Sequence, residues 1–267
     1  MAVIILTPVY KSVHVLNEFE ILSISNNLKK NKEDLLFLFG PQKFKAEYEN
    51  FFQRLKYICF KDKYFKSVNS YNRLLLSNNF YERFKNYSHI LISQTDSWIF
   101  GNEGDLLKFL DFDYCGAPSF EYGNLNGYNG GLSLRSVKRS IEALKKFRNY
   151  ESSSAIIQRH LKSSKIYQVI LYKWLSIILD LLIRKRIMWP FNYFYKGNED
   201  LFWSVEVPKA FPEFNVIDYN SSLAFSWEHN CDNFITEYSL PFGCHGWWNY
   251  NYNFWKKIIK LDSEVKN

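Results

Sequence analysis

The sequence predicts a single α/β domain in which helices flank a sheet. Its 267 residues are enough for one domain with a sizeable core. Hydrophobic residues make up 47% of the chain and charged residues 23%, as in a typical globular protein. Over the first hundred residues, short apolar runs alternate with helical stretches, which favours a doubly wound sheet. The aromatic content of 19% fits both a large aromatic core and stacking platforms for sugar rings.

The strands of the first half are predicted from apolar runs that end at turn residues. Residues 3–6 are apolar and Pro8 stops the run, as in a parallel strand buried on both faces. Helices are predicted over residues 17–30 and 70–86. The remaining strands are expected at 35–39, 57–60 and 89–93. The inner face of the second helix is expected to consist of Leu74, Leu75, Phe80 and Phe84.

The second half predicts a turn-rich loop at 126–131, a strand at 132–135 and a basic helix at 137–147. Residues 168–183 are strongly apolar and precede a basic cluster at 184–186, but polar residues interrupt them, so a membrane-spanning helix is not expected. A core helix and an interfacial helix both fit this segment. Because repeats and low-complexity linkers are lacking, residues 1–267 are expected to form one domain, with a helical segment at about 137–190.

The net charge and the cysteines indicate which partners and which cellular compartment to expect. The net charge of +7 favours anionic partners such as nucleotides or phospholipid headgroups. The sequence has neither zinc-knuckle spacing nor basic blocks interleaved with aromatic residues, so nucleic acid is not expected as a partner. The four cysteines form no CxxC pair and are expected to be free thiols. The first residues lack the basic start of a secretory signal, so a cytoplasmic location is expected.

Ligands of doubly wound sheets bind outside the carboxyl ends of the strands, which here are followed by residues 7–11 and by Asp96. The Asp96 carboxylate could hold a divalent cation that bridges a nucleotide diphosphate, or could serve as a turn or N-cap residue. His245 stands in a loop between glycines and aromatic residues. It could ligate a metal, contact a diphosphate, or be a buried core histidine.

Two further motifs carry polar groups that suit a sugar site. Gly130 and Gly131 let a backbone approach a ligand closely, and Asn129 offers an amide to sugar hydroxyls; a tight turn before a strand is the alternative. Glu199 and Asp200 precede an apolar run, as at the N-terminus of a helix. Such a helix end would also direct one carboxylate into a cleft as a general base.

The order of these motifs resembles the GT-A glycosyltransferases. It is closest to a family of bacteria and eukaryotic microbes long catalogued only as a domain of unknown function. The resemblance extends from residue 3 to residue 248. The segments that carry it are the strand end at 94–96, the Asn-Gly-Gly motif at 129–135, the Gly-x-Glu-Asp motif at 197–202, the Pro-Phe-Gly-x-His loop at 241–245, and the stretches at 70–75, 113–118 and 225–228.

The resemblance implies a GT-A-like, Rossmann-like mixed sheet and a transferase that inverts the sugar carbon. Asp200 would be the base for the acceptor hydroxyl, and Glu199 would orient acceptor or donor hydroxyls. Asp96 and His245 would hold Mn²⁺ or Mg²⁺, but the usual Asp-x-Asp pair retains only its last acid here, so metal dependence is open. The residues implied for the donor nucleotide are Pro8, Tyr10, Lys11, Tyr71, Asn72 and Asp96, and those for sugar or acceptor are Asn129, Gly130, Gly131 and Trp247.

The donor expected by analogy is UDP-galactose, and the expected acceptor is a growing bacterial surface glycan, also in lipid-linked form. The basic charge and residues 168–186 favour peripheral docking on the inner face of the cytoplasmic membrane. A retaining transferase is the alternative within the class, and a non-catalytic carbohydrate-binding protein is the alternative outside it. A nucleotidyltransferase is disfavoured, because residues 7–11 contain no glycine.

Overall fold

The computed structural model describes residues 2–30, 35–53, 55–150, 174, 178, 195 and 197–265. Strands and helices alternate in these ranges. In chain order, the strands are β1 (Val3–Pro8), β2 (Leu36–Pro41), β3 (Lys56–Phe60), β4 (His89–Ser93), β5 (Trp98–Ile99), β6 (Tyr114–Cys115), β7 (Pro118–Glu121), β8 (Asn124–Tyr128), β9 (Leu132–Ser136), β10 (Ser226–Trp227) and β11 (Gly243–Cys244).

The central sheet has six strands in the order β3-β2-β1-β4-β9-β6. The first four are parallel, and β9 runs antiparallel to both β4 and β6. Every residue of β4 is buried, as are residues 4–8 of β1, which explains why both strands are continuous apolar runs. The expected mixed α/β sheet is therefore confirmed, and the strands predicted in the first hundred residues form its parallel part.

Helices follow most of the strands. In chain order, they are α1 (Glu18–Lys30), α2 (Lys45–Phe51), α3 (Val68–Leu75), α4 (Asn78–Glu82), α5 (Glu103–Leu106), α6 (Val137–Tyr150), α7 (Glu199–Leu201), α8 (Val207–Ala210), α9 (Tyr219–Phe225), α10 (Cys231–Glu237) and α11 (Tyr252–Val265). A π-helical turn, Phe202–Glu206, joins α7 to α8. Such turns frequently accompany functional sites.

The single helix predicted at 70–86 is two helices, α3 and α4. The Ser77 hydroxyl accepts a hydrogen bond from the Phe80 N–H at 3.3 Å and donates one to the Leu74 carbonyl at 2.7 Å. Ser77 is thus the N-cap of a new helix, and this local hydrogen bonding interrupts the helical periodicity. The predicted inner-face residues Leu74, Leu75, Phe80 and Phe84 are all buried.

A second aromatic core lies around the small sheet of β10, β11 and β5. Trp247 belongs to it, with 2% of its surface exposed, and its indole N–H donates to the Ser23 hydroxyl at 2.9 Å. The ring packs against Phe19 and Trp98. Trp247 is thus a core residue that does not line the cavity described below, and the expected contact of Trp247 with a sugar or acceptor is not supported.

Residues 118–128 form a β-hairpin, where the sequence predicted only a loop from residue 126. Gly127 has a φ of +104°, and a side chain there would meet the Ser204 hydroxyl at 2.6 Å. The Tyr128 N–H donates to the same hydroxyl at 3.1 Å. The hairpin is therefore held against the π-helical turn, and glycine allows the close approach.

Most of the segment predicted as a core or interfacial helix, 168–186, lies outside the described residues. Its two described residues, Trp174 and Ile178, are helical and exposed. The basic helix predicted at 137–147 is α6, and the rest of the helical segment to about 190 is likewise outside the description apart from those two residues. None of the helices described is both long and apolar enough to cross a membrane. The free thiols predicted for the cysteines are confirmed.

Gly40 in β2 allows the close approach of β1, and we predict that Gly40→Ala destabilises the fold. Its added carbon would lie 2.2 Å from the Val9 carbonyl and 2.3 Å from the Tyr57 hydroxyl. Overpacking of this kind costs about 1–3 kcal/mol in the free energy of unfolding, measurable by urea denaturation. Gly104→Ala, at an exposed position of α5, is the control. Its added carbon would meet only the side-chain oxygen of Asn102, at 3.1 Å, so its effect should be smaller than that of Gly40→Ala. Equal effects of the two substitutions would contradict the prediction.

Candidate active site

A cavity of about 510 Å³ opens where three parallel strands end. Tyr10 follows β1, residues 65–68 follow β3 and Gln94 follows β4. The volume suits a small-molecule ligand, and the position is the one expected for a doubly wound sheet. The lining includes nine residues that the sequence marked as candidates: Tyr10, Tyr71, Asn72, Asn129, Gly130, Gly131, Glu199, Asp200 and His245.

A buried ion pair between Arg135 and Glu199 forms the base of one wall. Arg135 Nη1 donates to Glu199 Oε2 at 2.7 Å, and Nη2 donates to Oε1 at 2.9 Å. Arg135 has no exposed surface and Glu199 is 5% exposed. The Ser133 hydroxyl accepts from Nε and Nη2, each at 3.0 Å. Bidentate geometry with further hydrogen bonds is the arrangement that makes a buried pair tolerable.

This pair determines the place of Asp200. Glu199 is the first residue of α7, so its attachment to β9 holds the next residue at the cavity wall. Asp200 is partly buried, and its carboxylate accepts a hydrogen bond from the Leu201 N–H at 2.8 Å. Burial raises the pKa of Asp200, and the Leu201 N–H and Arg135 only partly oppose it. A carboxylate with a raised pKa at a cavity wall can accept a proton.

Glu199 itself has a partner within the protein. We expected it to orient substrate hydroxyls, yet both of its oxygens already accept hydrogen bonds from Arg135. The structure assigns it first to the ion pair, and a substrate contact stays a prediction.

The glycines of the 129–131 loop pack against side chains of the site. A side-chain carbon on Gly130 would lie 2.7 Å from Glu199 Oε1, and one on Gly131 would lie 2.1 Å from the His245 ring. Asn129 is also engaged: its amide nitrogen donates to Glu228 at 3.1 Å, and its oxygen accepts from the Gly131 N–H at 2.6 Å. The loop therefore fits tightly between two groups of charged residues, and its expected contacts with a sugar stay a prediction.

On the other side of the 129–131 loop, His245 lines the cavity and lies between the carboxylates of Asp96 and Glu228, neither of which lines it. Its Nδ1 lies 2.9 Å from Glu228 Oε1, and its Nε2 lies 3.2 Å from Asp96 Oδ1 and 3.3 Å from Gln94 Oε1. Burial lowers the pKa of His245, but the hydrogen bonds with Asp96 and Glu228 outweigh it and raise the pKa to about 10. Burial raises the pKa of Asp96, but the hydrogen bond and charge of His245, together with further hydrogen bonds that include one from Asn249, outweigh it and lower the pKa below that of an ordinary aspartate. The sequence analysis missed the role of Glu228, although its segment, 225–228, carried part of the resemblance.

The group of side chains around His245 has donor atoms that suit a divalent cation. Asp96 Oδ1 and Gln94 Oε1 lie within 3.3 Å of His245 Nε2, close to the spacing of about 3 Å between neighbouring ligands in an octahedral shell. Glu228 on Nδ1 would keep Nε2 directed at these oxygens. Across the described ranges, no three His, Cys, Asp or Glu residues converge on a metal site. The donor set here is one Asp, one His and one Gln, and it fits Mg²⁺ or Mn²⁺ bound with water or a ligand.

Three candidates for the nucleotide site lie at the end of β1 or just after it, in different environments. Tyr10 is 51% exposed at the cavity mouth. Pro8 is buried at the end of β1 beside Phe39 and does not line the cavity, so a direct ligand contact through Pro8 is not supported. Lys11 pairs with Glu20 at 2.8 Å, which ties it to α1.

The α3 side of the cavity contains residues that the sequence analysis did not identify. Residues 65–68 line it, because Ser67 forms a capping box with Ser70 and starts α3 at this point. The Ser-x-x-Ser spacing is the one sequence signal for this boundary. Tyr71 and Asn72, both predicted, line the same side.

Comparisons with known proteins give one family and several distant structures. The model of the family described as Protein of unknown function (DUF5672) matches residues 54–245. No curated protein matches the chain. Mouse xyloside xylosyltransferase 1 is similar over 92% of this chain and 98% of its own, with 15% identity and a TM-score of 0.49. A glycosyltransferase involved in glycosylation of the major capsid of PBCV-1 is similar over 92% and 93%, with 10% identity and a TM-score of 0.45. The glycosyltransferase GlyE of Streptococcus pneumoniae TIGR4 is similar over 91% of this chain and 54% of its own, with 13% identity and a TM-score of 0.44.

We predict that Glu199→Leu destabilises the protein by about 3–5 kcal/mol, because it leaves Arg135 buried without a counter-charge. The double variant Arg135→Met, Glu199→Leu should be more stable than Glu199→Leu alone, since neither charge then remains. Urea denaturation measures both free energies of unfolding.

Glu49→Leu is the matched control, because Glu49 forms only a surface ion pair with Lys45. Its loss should change stability by less than about 1 kcal/mol. If removing Arg135 as well makes the Glu199→Leu protein still less stable, the pair is not the constraint described here.

Proposed function

The chain belongs to the family described as Protein of unknown function (DUF5672), and we propose that it transfers a sugar from a nucleotide sugar to an acceptor hydroxyl with inversion. The observation that carries this proposal is Asp200, a partly buried carboxylate with a raised pKa on the wall of the cavity. Such a transfer requires a base and a site for a charged leaving group within one cavity. The motif resemblance supports the same class.

In the proposed reaction, Asp200 accepts the proton of the acceptor hydroxyl as that oxygen bonds to the anomeric carbon. The bond from this carbon to the diphosphate oxygen breaks, and the nucleoside diphosphate leaves with the electron pair. A single displacement from the opposite side inverts the anomeric centre. Negative charge grows on the leaving group, and positive charge near Tyr10 and Gln94 would stabilise it. Lys11, which follows Tyr10 in the chain, is the proposed source of that charge within the protein.

We further propose that Asp96, Gln94 and His245 hold Mn²⁺ or Mg²⁺. When bound, the ion would supply positive charge to the diphosphate. The donor distances at His245 Nε2 support this proposal. Gln94 follows β4 directly, and Asp96 stands two residues further on.

Donor and acceptor identity rest on the sequence alone. UDP-galactose is the proposed donor, and a bacterial surface glycan, free or lipid-linked, is the proposed acceptor. Docking on a membrane stays a prediction, since residues 168–186 lie outside the description apart from Trp174 and Ile178.

The alternatives differ in what they require of Asp200. A non-catalytic carbohydrate-binding protein needs no proton acceptor in its cavity, and the raised pKa of Asp200 therefore favours an enzyme. A retaining transferase would use the same cavity, and NMR of the anomeric configuration of the product distinguishes it from an inverting one.

We predict that Asp200→Asn lowers kcat by about 10²–10⁴-fold, because the amide cannot accept the proton. Binding of the donor, measured by calorimetry, should stay close to that of the wild type. Asp218→Asn is the control: Asp218 caps α9, a role that asparagine also fills, so kcat should not change. An Asp200→Asn enzyme that keeps most of its turnover would exclude Asp200 as the base.

The same role predicts the direction of the pH dependence. Protonated Asp200 cannot act as a base, so kcat should fall as pH is lowered through its pKa. Because burial raises that pKa, the fall should begin at a higher pH than for an ordinary aspartate. The acid limb should be absent from the residual activity of Asp200→Asn.

We predict that MnCl₂ raises the Tm of the wild-type protein in the presence of UDP, and that Asp96→Asn loses most of this shift. A ligand that binds only the folded state at 100 times its Kd stabilises by about 2.7 kcal/mol. Asp232→Asn, an exposed change on α10, should retain the shift. An equal shift in wild type and Asp96→Asn would remove Asp96 from the cation site.

A further inference from the structure

The side-chain amide of Asn198 makes no hydrogen bond within the part of the chain that the structure describes. Asn198 is the N-cap residue of α7, and its backbone is extended, with a φ of −70° and a ψ of 143°. Asp218 has a similar backbone at the start of α9, and its carboxylate accepts a capping hydrogen bond from the Ser221 N–H at 3.0 Å. Asn198 makes no such bond, although asparagine is a strong N-cap residue. Its amide is exposed and lines the cavity, so it is accessible to a ligand there.

The backbone of Asn198 is fixed by the fold. Its carbonyl accepts a hydrogen bond from the Phe202 N–H at 3.2 Å. The next residue, Glu199, is held against β9 by its ion pair with Arg135. Asp200, which lines the same cavity, is partly buried, whereas Asn198 is exposed. One turn of the chain therefore presents two polar side chains to the cavity, and Asn198 is the one nearer to solvent.

The neighbourhood of Asp200 is where the acceptor must bind. In a single displacement, the attacking oxygen and the leaving diphosphate lie on opposite faces of the anomeric carbon, and the base lies with the attacking oxygen. Asn198 stands two residues before that base in the chain. An amide both donates and accepts hydrogen bonds, and so does a hydroxyl. A neutral amide beside the base therefore suits a second hydroxyl of the acceptor.

We infer that Asn198 binds the acceptor hydroxyl next to the one that Asp200 deprotonates. The acceptor is then a sugar with hydroxyls on neighbouring carbons, and not the lone hydroxyl of a serine or threonine side chain. This inference rests on the proposed function, because Asp200 must be the base. A site that hydrogen-bonds a substrate hydroxyl discriminates strongly against the analogue that lacks it.

The experiment compares wild type and Asn198→Ala in two reactions. The first is hydrolysis without acceptor of UDP-galactose, UDP-glucose or their N-acetyl forms, whichever wild type hydrolyses fastest. The second is transfer from that donor to the methyl glycosides of galactose, glucose, mannose and N-acetylglucosamine. Asn198→Ala should lower kcat/KM of the best glycoside in transfer by about 10-fold or more. Hydrolysis should stay close to the wild-type rate, because water does not use the second hydroxyl contact.

Monodeoxy forms of the best methyl glycoside identify the contact. For the form that lacks the hydroxyl bound by Asn198, wild type and Asn198→Ala should have equal kcat/KM in transfer. For forms that keep this hydroxyl and the attacked one, the variant should remain the slower enzyme.

The melting temperature gives a second, independent readout. Asn198→Ala breaks no capping hydrogen bond, so its Tm should stay at the wild-type value. Asn102→Ala is the matched control, because Asn102 is the N-cap residue of α5 and its side chain accepts from the Gly104 N–H at 2.7 Å. Its loss should lower Tm by about 2–4 °C. Asn102 does not line the cavity, so transfer should be unchanged.

The outcomes separate this inference from the proposed function. If no nucleotide sugar is hydrolysed or stabilises the protein, the proposed function is overturned and the inference with it. If a donor is hydrolysed but no methyl glycoside accepts its sugar, the acceptor site does not recognise sugar hydroxyls, and only the inference is overturned.

Three results with Asn198→Ala would also overturn the inference alone. The first is an unchanged kcat/KM in transfer. The second is an equal slowing of hydrolysis and transfer, because the residue would then act on the donor or on the fold. The third is a loss of Tm as large as in Asn102→Ala, because the amide would then have a partner in the protein.

Discussion

The pairing of Arg135 with Glu199 is the constraint on which the candidate site depends. Arg135 stands on β9, inside the central sheet, and Glu199 begins α7. Both side chains are buried, and a buried charge without its partner is strongly unfavourable. The helix must therefore dock with its first residue against the sheet. Asp200 reaches the cavity because it follows Glu199, and the Leu201 N–H holds its carboxylate there.

The 129–131 loop connects the ion pair to the residues around His245. Gly130 lies against the ion pair, and Gly131 lies against the ring of His245. The Gly131 carbonyl accepts hydrogen bonds from the Gln94 N–H at 2.8 Å and from the Ser97 hydroxyl at 3.0 Å. One short loop thus fixes the spacing between the proposed base and the proposed cation site. The usual account of glycines near a nucleotide is close contact with the ligand, whereas here their smallness serves contacts within the protein.

The elements that were predicted correctly from the sequence depend on local patterns. The residue roles that were missed depend on partners that are distant in the chain. The four parallel strands were predicted because strands buried on both faces are apolar runs. The core position of Trp247 was not predicted, because its partners, Phe19 and Ser23, are far away in the chain. The role of Glu228 was missed for the same reason, since only the fold brings its carboxylate to His245. Local hydrogen bonding by Ser77 divides into two helices a segment whose apolar periodicity predicts one.

The cavity is assembled from nearly the full length of the chain, from Tyr10 after the first strand to His245 after the last. Contacts between such distant positions form slowly, because a long loop must close before they are made. A ribosome-bound chain that has not yet emerged to β11 therefore lacks one wall of the cavity, however complete its parallel strands are. Any ligand that spans both walls would bind only the finished chain, and so would select completely folded molecules over partly folded ones.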